Sequence, residues 1–297
     1  MKKRISIFLI IIILIILMVF GVTKINKGKI ELTQLSSHSK DRMMGYIVRT
    51  QNGKTIVIDG GMSKDADNLK EFLNKYNNHI DYWFITHPHI DHAGAFINII
   101  DNDNNIKIDN IYYSANDLDW YKEYAGARAS EVEDFYRALE SDKIKQVEKQ
   151  PQIGDVIKID NVKIEILGIN NPEITTNPIN NSSMVFKLKV NNKSILFLGD
   201  TGEESSDKLV KEYGKKLKSD IVQVAHHGQQ GATEELYKLV DPEICLWPTE
   251  EWLWDNDGGK GYNTGTFKTL ETRAWMEKLN VKKNYVAKDG DITIEIE

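Results

Sequence analysis

The chain is poor in cysteine, with a single residue, Cys245, among its 297 positions. An intramolecular disulfide is therefore excluded, and other interactions have to hold the fold together. Because Cys245 lies in the apolar run 244–247, a buried and inert thiol is a better interpretation than a nucleophile. An excess of positive charge is also absent, since the formal net charge is −6. This balance argues against a broad surface for nucleic acid, although it leaves a local basic patch open.

Long hydrophobic runs are absent except at the N-terminus, where residues 5–22 are almost entirely Ile, Leu, Phe, Met and Val. This length is close to the about 20 residues that an α-helix needs to cross a bilayer. No Ala-x-Ala cleavage site and no lipid-acceptor cysteine follows, which favours an uncleaved signal-anchor over a cleaved signal peptide. Basic residues lie on both sides with a slight excess at residues 1–4, so we expect those residues to be cytoplasmic.

The expected organisation is therefore that of a single-pass protein of the cell membrane. Residues 1–4 would be cytoplasmic, residues 5–22 would form the transmembrane signal-anchor, and residues 23–29 would be a polar linker. Residues 30–297 would form one extracytoplasmic domain. Hydrophobic residues make up 41% and charged residues 28% of the chain, which is ordinary for a globular domain.

Patterns of alternation and of helical spacing predict a mixed α/β domain. Strands are expected over residues 29–35, 43–50, 54–59, 81–86, 106–113, 155–159, 162–167, 184–190, 194–198, 220–225, 243–246 and 292–296. Helices are expected over 63–76, 93–100, 203–217, 233–240 and 266–279, the last with Thr264 or Thr266 as its cap, and 117–139 reads as a helix pair or a lid. Hairpins interleaved with helices predict two sheets covered by helices on both sides, an αββα sandwich.

Potential metal ligands are crowded into residues 87–92, where a predicted strand gives way to a predicted helix. Alternate residues of an extended segment point to the same side, so His87 and His89 can bind one ion. Asp91 and His92 lie where the chain turns into the helix, so they can face a second ion. Imidazole and carboxylate suit zinc, iron and manganese. The alternative is a surface loop that happens to be rich in histidine, but three of the seven histidines fall within this segment.

The order His-x-His-x-Asp-His after a strand resembles the signature of the metallo-β-lactamase superfamily. Other segments resemble the family in the same order: 57–61 (Val-Ile-Asp-Gly-Gly), 197–201 (Phe-Leu-Gly-Asp-Thr) and 225–228 (Ala-His-His-Gly). The resemblance covers essentially all of residues 30–297. It implies the αββα fold of that family and a metal-dependent hydrolase.

The resemblance also implies roles for individual residues. The implied metal ligands are His87, His89, Asp91, His92, Asp200 and His227. Asp200 would bridge two ions, Zn²⁺ in the first instance with Mn²⁺ or iron as alternatives. His226 would face the substrate as an acid or an oxyanion donor, although its role and that of His227 could be exchanged. Asp59 would orient a ligand histidine by hydrogen bonding.

One departure from the wider family concerns the middle of the chain, because no histidine lies between His92 and His226. Residues 180–183 read Asn-Asn-Ser-Ser instead, which resembles the branch that contains the hydrolase domain of the DNA-uptake competence protein ComEC. By this resemblance Asn181 and Ser183 would support the ligands. Water or an asparagine oxygen would then complete the first metal site.

The resulting expectation is an anchored hydrolase that attacks a phosphodiester or related ester with a metal-bound hydroxide, with Asp91 and His226 handling protons. The substrate would be a small molecule or a cell-envelope ester, and the membrane would be contacted through the N-terminal helix. A competence-type nuclease is one alternative, disfavoured by the net charge of −6. A surface binding module that keeps a metal but turns over little is another.

An aromatic segment follows the last predicted ligand. Trp252, Trp254 and Tyr262 would form either a substrate platform or the packing of a long loop, whereas packing is the better interpretation for Trp247. His38 and His79 have no evident partners in the sequence, so we expect both to be ordinary surface residues.

Overall fold

Two seven-stranded sheets pack face to face in the computed structural model, which describes residues 28–103 and 105–297. Outside the described residues lie the predicted cytoplasmic segment 1–4, the predicted signal-anchor 5–22 and most of the predicted linker 23–29. Within the described ranges, no helix is both long enough and apolar enough to cross a bilayer.

The strands of the described residues are two to seven residues long, and helices separate groups of consecutive strands. In order they are β1 (Ile30–Gln34), β2 (Gly45–Arg49), β3 (Thr55–Asp59), β4 (His79–Ile80), β5 (Tyr82–Ile85), β6 (Lys107–Ile108), β7 (Ile111–Tyr113), β8 (Glu148–Lys149), β9 (Val156–Ile159), β10 (Val162–Gly168), β11 (Val185–Val190), β12 (Lys193–Phe197), β13 (Ile221–Gln223), β14 (Ile244–Trp247), β15 (Lys283–Val286) and β16 (Ile292–Ile296).

The helices fall between these strands. They are α1 (Ala66–Asn74), α2 (Ile90–Asn102), α3 (Leu118–Tyr124), α4 (Ser130–Leu139), α5 (Asp142–Lys145), α6 (Pro178–Asn181), α7 (Glu203–Tyr213), α8 (Glu234–Val240), α9 (Glu251–Trp254) and α10 (Thr269–Lys278). Short 3-10 turns cover Ser63–Asp65, Gly126–Ala129, Gly214–Leu217, Ala225–Gly228 and Ala287–Asp289.

Each large sheet is antiparallel on one side and parallel on the other. The first sheet has the order β16-β1-β2-β3-β5-β7-β8 and becomes parallel from β3 onward. The second has the order β15-β14-β13-β12-β11-β10-β9 and is parallel from β12 to β15. Because parallel strands end at the same edge, the loops after β3, β5, β12, β13 and β14 are gathered there, where open α/β sheets usually bind ligands.

Three apolar cores separate four layers, so the predicted αββα sandwich is confirmed. Between the sheets, Phe84 of the first sheet packs against Phe186 of the second with ring centroids 5.4 Å apart. A second core joins the outer face of the first sheet to α1, α2 and α4. The third joins the outer face of the second sheet to α7, α8 and α10, and it contains the fully buried Cys245, as predicted.

Several predicted boundaries were wrong, each for a local reason. The helix expected from Ala93 begins at Ile90, because the carbonyl of His89 already accepts the first helical bond from Ala93 at 2.8 Å. The strand expected over 106–113 is two strands in different sheets, and the Asn110 carbonyl between them turns to accept from the amide of Trp83 at 2.8 Å.

The last predicted helix and its cap were also wrong. The helix begins at Thr269 rather than at 266, and its N-cap position is Lys268, which makes no side-chain cap. Thr264 cannot serve as the cap because its hydroxyl donates to the carbonyl of Gly261 at 2.7 Å and so closes a glycine-rich loop. The short β8, the helix α9 and the edge strand β15 carried too weak a periodic pattern to be predicted.

Candidate metal centre

Residues 87–92 leave the end of β5 and enter α2 at the gathered edge of the first sheet. His87 and His89 lie in the extended connection, and the His87 Nε2 and His89 Nδ1 atoms are 3.0 Å apart. Asp91 and His92 lie in the first turn of α2, which is a favourable place for a carboxylate because helix N-termini attract negative charge. Two of the four side chains are therefore presented by extended backbone and two by the helix.

Asp59, at the end of β3, is fully buried behind this segment. Its Oδ1 accepts from the amide of Thr86, and its Oδ2 accepts from the Thr86 hydroxyl, each at 2.7 Å. The same Oδ2 lies 2.7 Å from His92 Nδ1, which must therefore carry the proton that it donates. The Nε2 atom of His92 faces the centre, 3.1 Å from Asp200 Oδ1. Asp59 thus has the orienting geometry expected of it, and Thr86 is a partner that the motif did not reveal.

Asp200 reaches the centre from the second sheet, in the loop that follows β12. The Ser183 hydroxyl accepts from the amide of Asp200 at 2.9 Å. Gly199 beside it has φ of +56°, and a Cβ there would lie 2.8 Å from Ser183 Oγ, so this approach needs glycine. Asn181 Oδ1 accepts from the amide of Gly202 at 3.1 Å and from the hydroxyl of Ser205 at 2.7 Å. Ser183 and Asn181 therefore fix the loop that carries Asp200.

His226 and His227 follow β13 in a turn where both residues have left-handed backbone, with φ of 50° and 54°. Such backbone is costly for residues other than glycine and is often found at functional sites. His227 Nδ1 lies 2.8 Å from the carbonyl of Pro248 and His226 Nδ1 lies 2.8 Å from that of Gln230. Since a carbonyl can only accept, both Nδ1 atoms carry protons and both Nε2 atoms present lone pairs.

We call the side of the centre that contains Asp91, His92 and His227 the Asp91 end. His227 Nε2 lies 3.2 Å from Asp91 Oδ2 and 3.6 Å from Asp200 Oδ2. His92 Nε2 lies 3.1 Å from Asp200 Oδ1 and 3.4 Å from His227 Nε2. Asp91, His92 and His227 form one group of ligand atoms that all lie within 4.8 Å of one another.

At the opposite side, which we call the His87 end, His87, His92 and Asp200 form another group with the same spacing. His87 Nε2 lies 3.8 Å from Asp200 Oδ2, and His89 supplies its Nδ1 beside His87. His226 Nε2 is 3.9 Å from Asp200 Oδ2, but it accepts a hydrogen bond from Asn180 Nδ2 at 3.1 Å. A neutral His226 therefore presents an acceptor, and it becomes a donor only after it gains a proton. Asn180 Oδ1 is buried and finds no partner among the described residues.

These donors fit a cation. His92 Nε2 and His227 Nε2 lie 3.4 Å apart, and each also lies close to a carboxylate oxygen of Asp200, so the space between them favours a positive charge from a proton or a metal ion. Asp200 Oδ1 is likewise buried without a hydrogen-bond donor in the described part of the chain. Buried charges of this kind are normally paired or coordinate a metal. The set of imidazoles and carboxylates suits zinc, iron or manganese.

The ionisation of the cluster shows how strongly its groups interact. Burial disfavours the imidazolium of His92, but the carboxylates of Asp200 and Asp59 outweigh burial and raise the pKa of His92 well above its usual range. Burial would raise the pKa of Asp200, yet the neighbouring His92 and His227 hold it well below its usual range. Burial lowers the pKa of His89 to about 4. The carboxylates are therefore ionised and His87 and His89 are neutral, the states in which they bind metals.

Three charged side chains that lie next to the candidate ligands were not predicted from the sequence. Arg128 binds Glu131 with two hydrogen bonds of 3.0 and 3.1 Å, and Glu131 Oε2 lies 3.9 Å from His89 Nε2. This pair starts α4, so the predicted helix pair does reach the centre. Arg42 comes from the loop before β2, and its Nε lies 3.9 Å from Asp91 Oδ2. A lone charged residue in a loop gave no pattern that could have identified it.

The aromatic segment divides into packing and surface. Trp247 is fully buried in the third core, as predicted, and Trp254 packs edge-on against it at 5.2 Å. Trp252 donates from Nε1 to the carbonyl of Lys40 at 3.3 Å, which joins the segment to the loop that carries Arg42. Tyr262 is 65% exposed. A substrate platform formed by Trp252 and Tyr262 stays a prediction.

The statement that His79 lacks a partner was wrong. His79 Nε2 lies 2.9 Å from Asp109 Oδ2, and with Asp81 these residues form another group with metal-ligand spacing. Lys107 and Lys54 bind Asp109 and Asp81 at 2.7 Å, so lysines already neutralise both carboxylates. His38 lies 4.0 Å from Asp291 and is largely exposed.

Comparison with known proteins gives the same picture. A family model described as the metallo-beta-lactamase superfamily matches residues 45–246. A stretch of 94 residues, 31% of this chain, is 28% identical to ComE operon protein 3 of Bacillus subtilis but spans only 12% of that protein's length.

Solved structures also resemble this chain. The metallo-beta-lactamase fold protein YhfI from Bacillus subtilis has a TM-score of 0.55 at 11% identity, over 91% of this chain and 100% of YhfI. CmlA, a diiron beta-hydroxylase from Streptomyces venezuelae, has a TM-score of 0.53 at 11% identity, over 90% of this chain and 54% of CmlA. At such identities the likeness shows the fold alone.

Proposed function

This chain belongs to the metallo-β-lactamase superfamily, and on that premise we propose that it is a membrane-anchored, metal-dependent hydrolase of a phosphodiester or a related ester. The observation that carries the proposal is the convergence of His87, His92 and Asp200, and of Asp91, His92 and His227, into two groups with metal-ligand spacing. Zn²⁺ is the preferred ion. Manganese stays an alternative, as does iron, because a protein of the same fold, CmlA, is a diiron enzyme.

The protein residues would divide the work between holding ions and moving protons. Asp91, His92 and His227 would hold one ion and His87 with His89 the other, while Asp200 would bridge them. Divalent cations bound there would supply a water molecule acidic enough to attack at neutral pH, together with a charge that stabilises the transition state.

Proton handling would fall to His226 and Asp91. The Nδ1 proton of His226 is committed to the carbonyl of Gln230, so its Nε2 is the atom that accepts a proton. A protonated His226 would then donate to the oxygen that leaves or to the charged oxygen of the transition state. Asp91 would accept or relay the proton of the attacking water.

The anchor and the location are parts of the same proposal. Residues 5–22 would cross the membrane once and leave the hydrolase domain outside the cytoplasm. Fractionation tests this directly, because the full chain should stay in the membrane pellet after an alkaline wash whereas a variant without residues 5–22 should not. Digestion of the domain by protease added to intact cells would support the orientation, and protection of the domain would contradict it.

Two alternative functions can be distinguished from this one by experiment. The similarity of a short stretch to ComE operon protein 3 is the observation that favours a competence-type nuclease. Cleavage of single- or double-stranded DNA by the metal-loaded chain would support that alternative, against which the net charge of −6 speaks. A binding module with little turnover, suggested by the missing histidine, would retain metal and ligand but hydrolyse no ester.

The enzymatic proposal is tested on the full chain in detergent. Elemental analysis should find bound metal, and bis(p-nitrophenyl) phosphate should be hydrolysed, with activity lost to a chelator and restored by Zn²⁺, Mn²⁺ or Fe²⁺. As a matched control, Asp67→Asn alters a carboxylate that is 93% exposed and should leave both readouts unchanged. Absence of metal together with chelator-insensitive turnover would refute the proposal.

A further inference from the structure

Arg42 lies beside the metal centre and takes no part in the chemistry proposed above. Its Nε is 3.9 Å from Asp91 Oδ2, which is beyond hydrogen-bond distance, and the side chain is 39% exposed. Within residues 28–103 and 105–297, no group accepts a hydrogen bond from this guanidinium. The donors of Arg42 are therefore free at the edge of the centre.

The backbone that carries Arg42 is held by hydrogen bonds on both sides. The Ser37 hydroxyl accepts from the amides of Ser39 and Asp41, each at 3.2 Å. At the other end of the loop, the amide of Met44 donates to the carbonyl of Asp91 at 3.0 Å, which ties the loop to the first turn of α2. Backbone contacts on both sides thus hold Arg42 next to a proposed metal ligand.

The charges around the centre make Arg42 different from the other nearby arginine. Arg128 is neutralised by its two hydrogen bonds to Glu131. Asp41, the acidic neighbour of Arg42 in sequence, is paired with Lys64 instead. Asp91 Oδ2 lies 3.2 Å from His227 Nε2 and is a proposed metal ligand, so the charge of Asp91 would be balanced within the centre and not by Arg42. A free guanidinium beside a cation site costs repulsion unless an anion binds between them.

From this geometry we propose that Arg42 is a substrate-binding residue that donates to a non-bridging oxygen of a phosphate ester. The centre would thereby prefer anionic phosphate esters to neutral carboxylic esters. Planar guanidinium groups suit phosphate oxygens because they offer several donors in a fixed arrangement. The inference rests on the proposed hydrolase function and names the substrate class of that same site.

The test compares Arg42→Gln and Arg42→Lys with the parent protein, using the metal-loaded full chain. The substrates are bis(p-nitrophenyl) phosphate, which is anionic, and p-nitrophenyl acetate, which is neutral. Arg42→Gln should raise KM for the phosphate by about 10- to 100-fold, the range expected for a lost hydrogen bond to a charged group. KM for the acetate and the metal content should not change.

Two further readouts separate binding from a structural role. Arg42→Lys keeps the charge without the planar donors and should fall between the parent and Arg42→Gln. The phosphate KM of the parent should rise with ionic strength more steeply than that of Arg42→Gln. Arg137→Gln is the matched control, because among the described residues Arg137 binds only Asp101 and Asp134; this variant should leave KM unchanged for both substrates.

The outcomes are distinct from those of the hydrolase proposal. An equal loss with both substrates, or loss of metal in Arg42→Gln, would mean that Arg42 only supports Asp91, and the inference would fall. If the parent binds metal but hydrolyses neither ester, the hydrolase proposal fails, and calorimetry with inorganic phosphate still tests Arg42. Weaker phosphate binding by Arg42→Gln would then support the inference, and unchanged binding would overturn it.

Discussion

The Asp91 end and the His87 end of the metal centre differ in how their donor atoms are hydrogen-bonded. At the Asp91 end, two imidazoles have their protons fixed by Asp59 and by the carbonyl of Pro248. At the His87 end, Asn180 lies beside His226, and its Oδ1 has no hydrogen-bond partner among the described residues. If both ends bind metal, we expect the Asp91 end to bind its ion first and more tightly.

The largest effect is expected from Asp200→Ala, because Asp200 contacts donors at both ends. Both ions should be lost, and activity should fall by more than about 100-fold, since even the partners that merely orient metal ligands are worth about 10- to 100-fold. Elemental analysis and the phosphodiester assay check this, with Asp67→Asn as the control. Retention of one full equivalent of metal would show that the two ends are independent.

The variants His227→Ala and His89→Ala test most directly whether the two ends differ in metal affinity. His227→Ala should weaken binding of the first equivalent of Zn²⁺ by about 100-fold or more, whereas His89→Ala should leave the first equivalent intact and remove the second. Competitive titration with a chelating dye measures both steps. If the two variants lose the same equivalent to the same degree, the proposed order of binding is wrong.

A smaller effect is expected from Asp59→Asn, because Asp59 contacts one proposed ligand directly, His92, and reaches His87 only through Thr86. The amide keeps the size of the side chain but loses the charge that holds His92 Nδ1 as a donor, so affinity for the first equivalent should fall by about 10- to 100-fold. The second equivalent should bind as before. Because Asp59 also binds Thr86, circular dichroism and thermal unfolding serve as controls for the fold.

The smallest effect is expected from a substitution that adds a donor to the His87 end. Asn180→His offers the His87 end another imidazole and should strengthen binding of the second equivalent by about tenfold, while Asn180→Ala should not. Substitution with Co²⁺ gives an absorption spectrum that reports the number of nitrogen donors at each step. An unchanged spectrum at the second step in Asn180→His would show that position 180 does not face that ion.

Much of the architecture could be predicted from local patterns, because the predicted positions of strands and helices with strong periodicity lie close to the observed ones. The ligands of residues 87–92 were predicted together since they are close in sequence and their spacing alone suggests a shared ion. Asp200 and the histidine turn after β13 required the family resemblance, because each alone is indistinguishable from an ordinary loop. The contacts themselves arise only when the two sheets pack.

Other features lay beyond any sequence argument. Arg42 and Glu131 reach the centre from loops and helix starts whose paths depend on tertiary packing. The left-handed backbone of His226 and His227 also left no trace in the sequence, because histidine carries no preference strong enough to announce it. The error near 109 has the same origin, because the carbonyl of Asn110 accepts a long-range bond from Trp83, whereas the errors near 93 and 266 come from local hydrogen bonds.

Ligands drawn from both sheets have a consequence for the rates at which the protein forms and comes apart. Positions 87 and 227 follow β5 and β13 of different sheets, so both halves can hold an ion only once the sheets have packed, and we expect this packing to be incomplete in the folding transition state. Bound metal should accordingly leave the folding rate unchanged and slow unfolding, as interactions absent from the transition state do. In a chain without disulfides, the lifetime of the native state would then be set by metal dissociation.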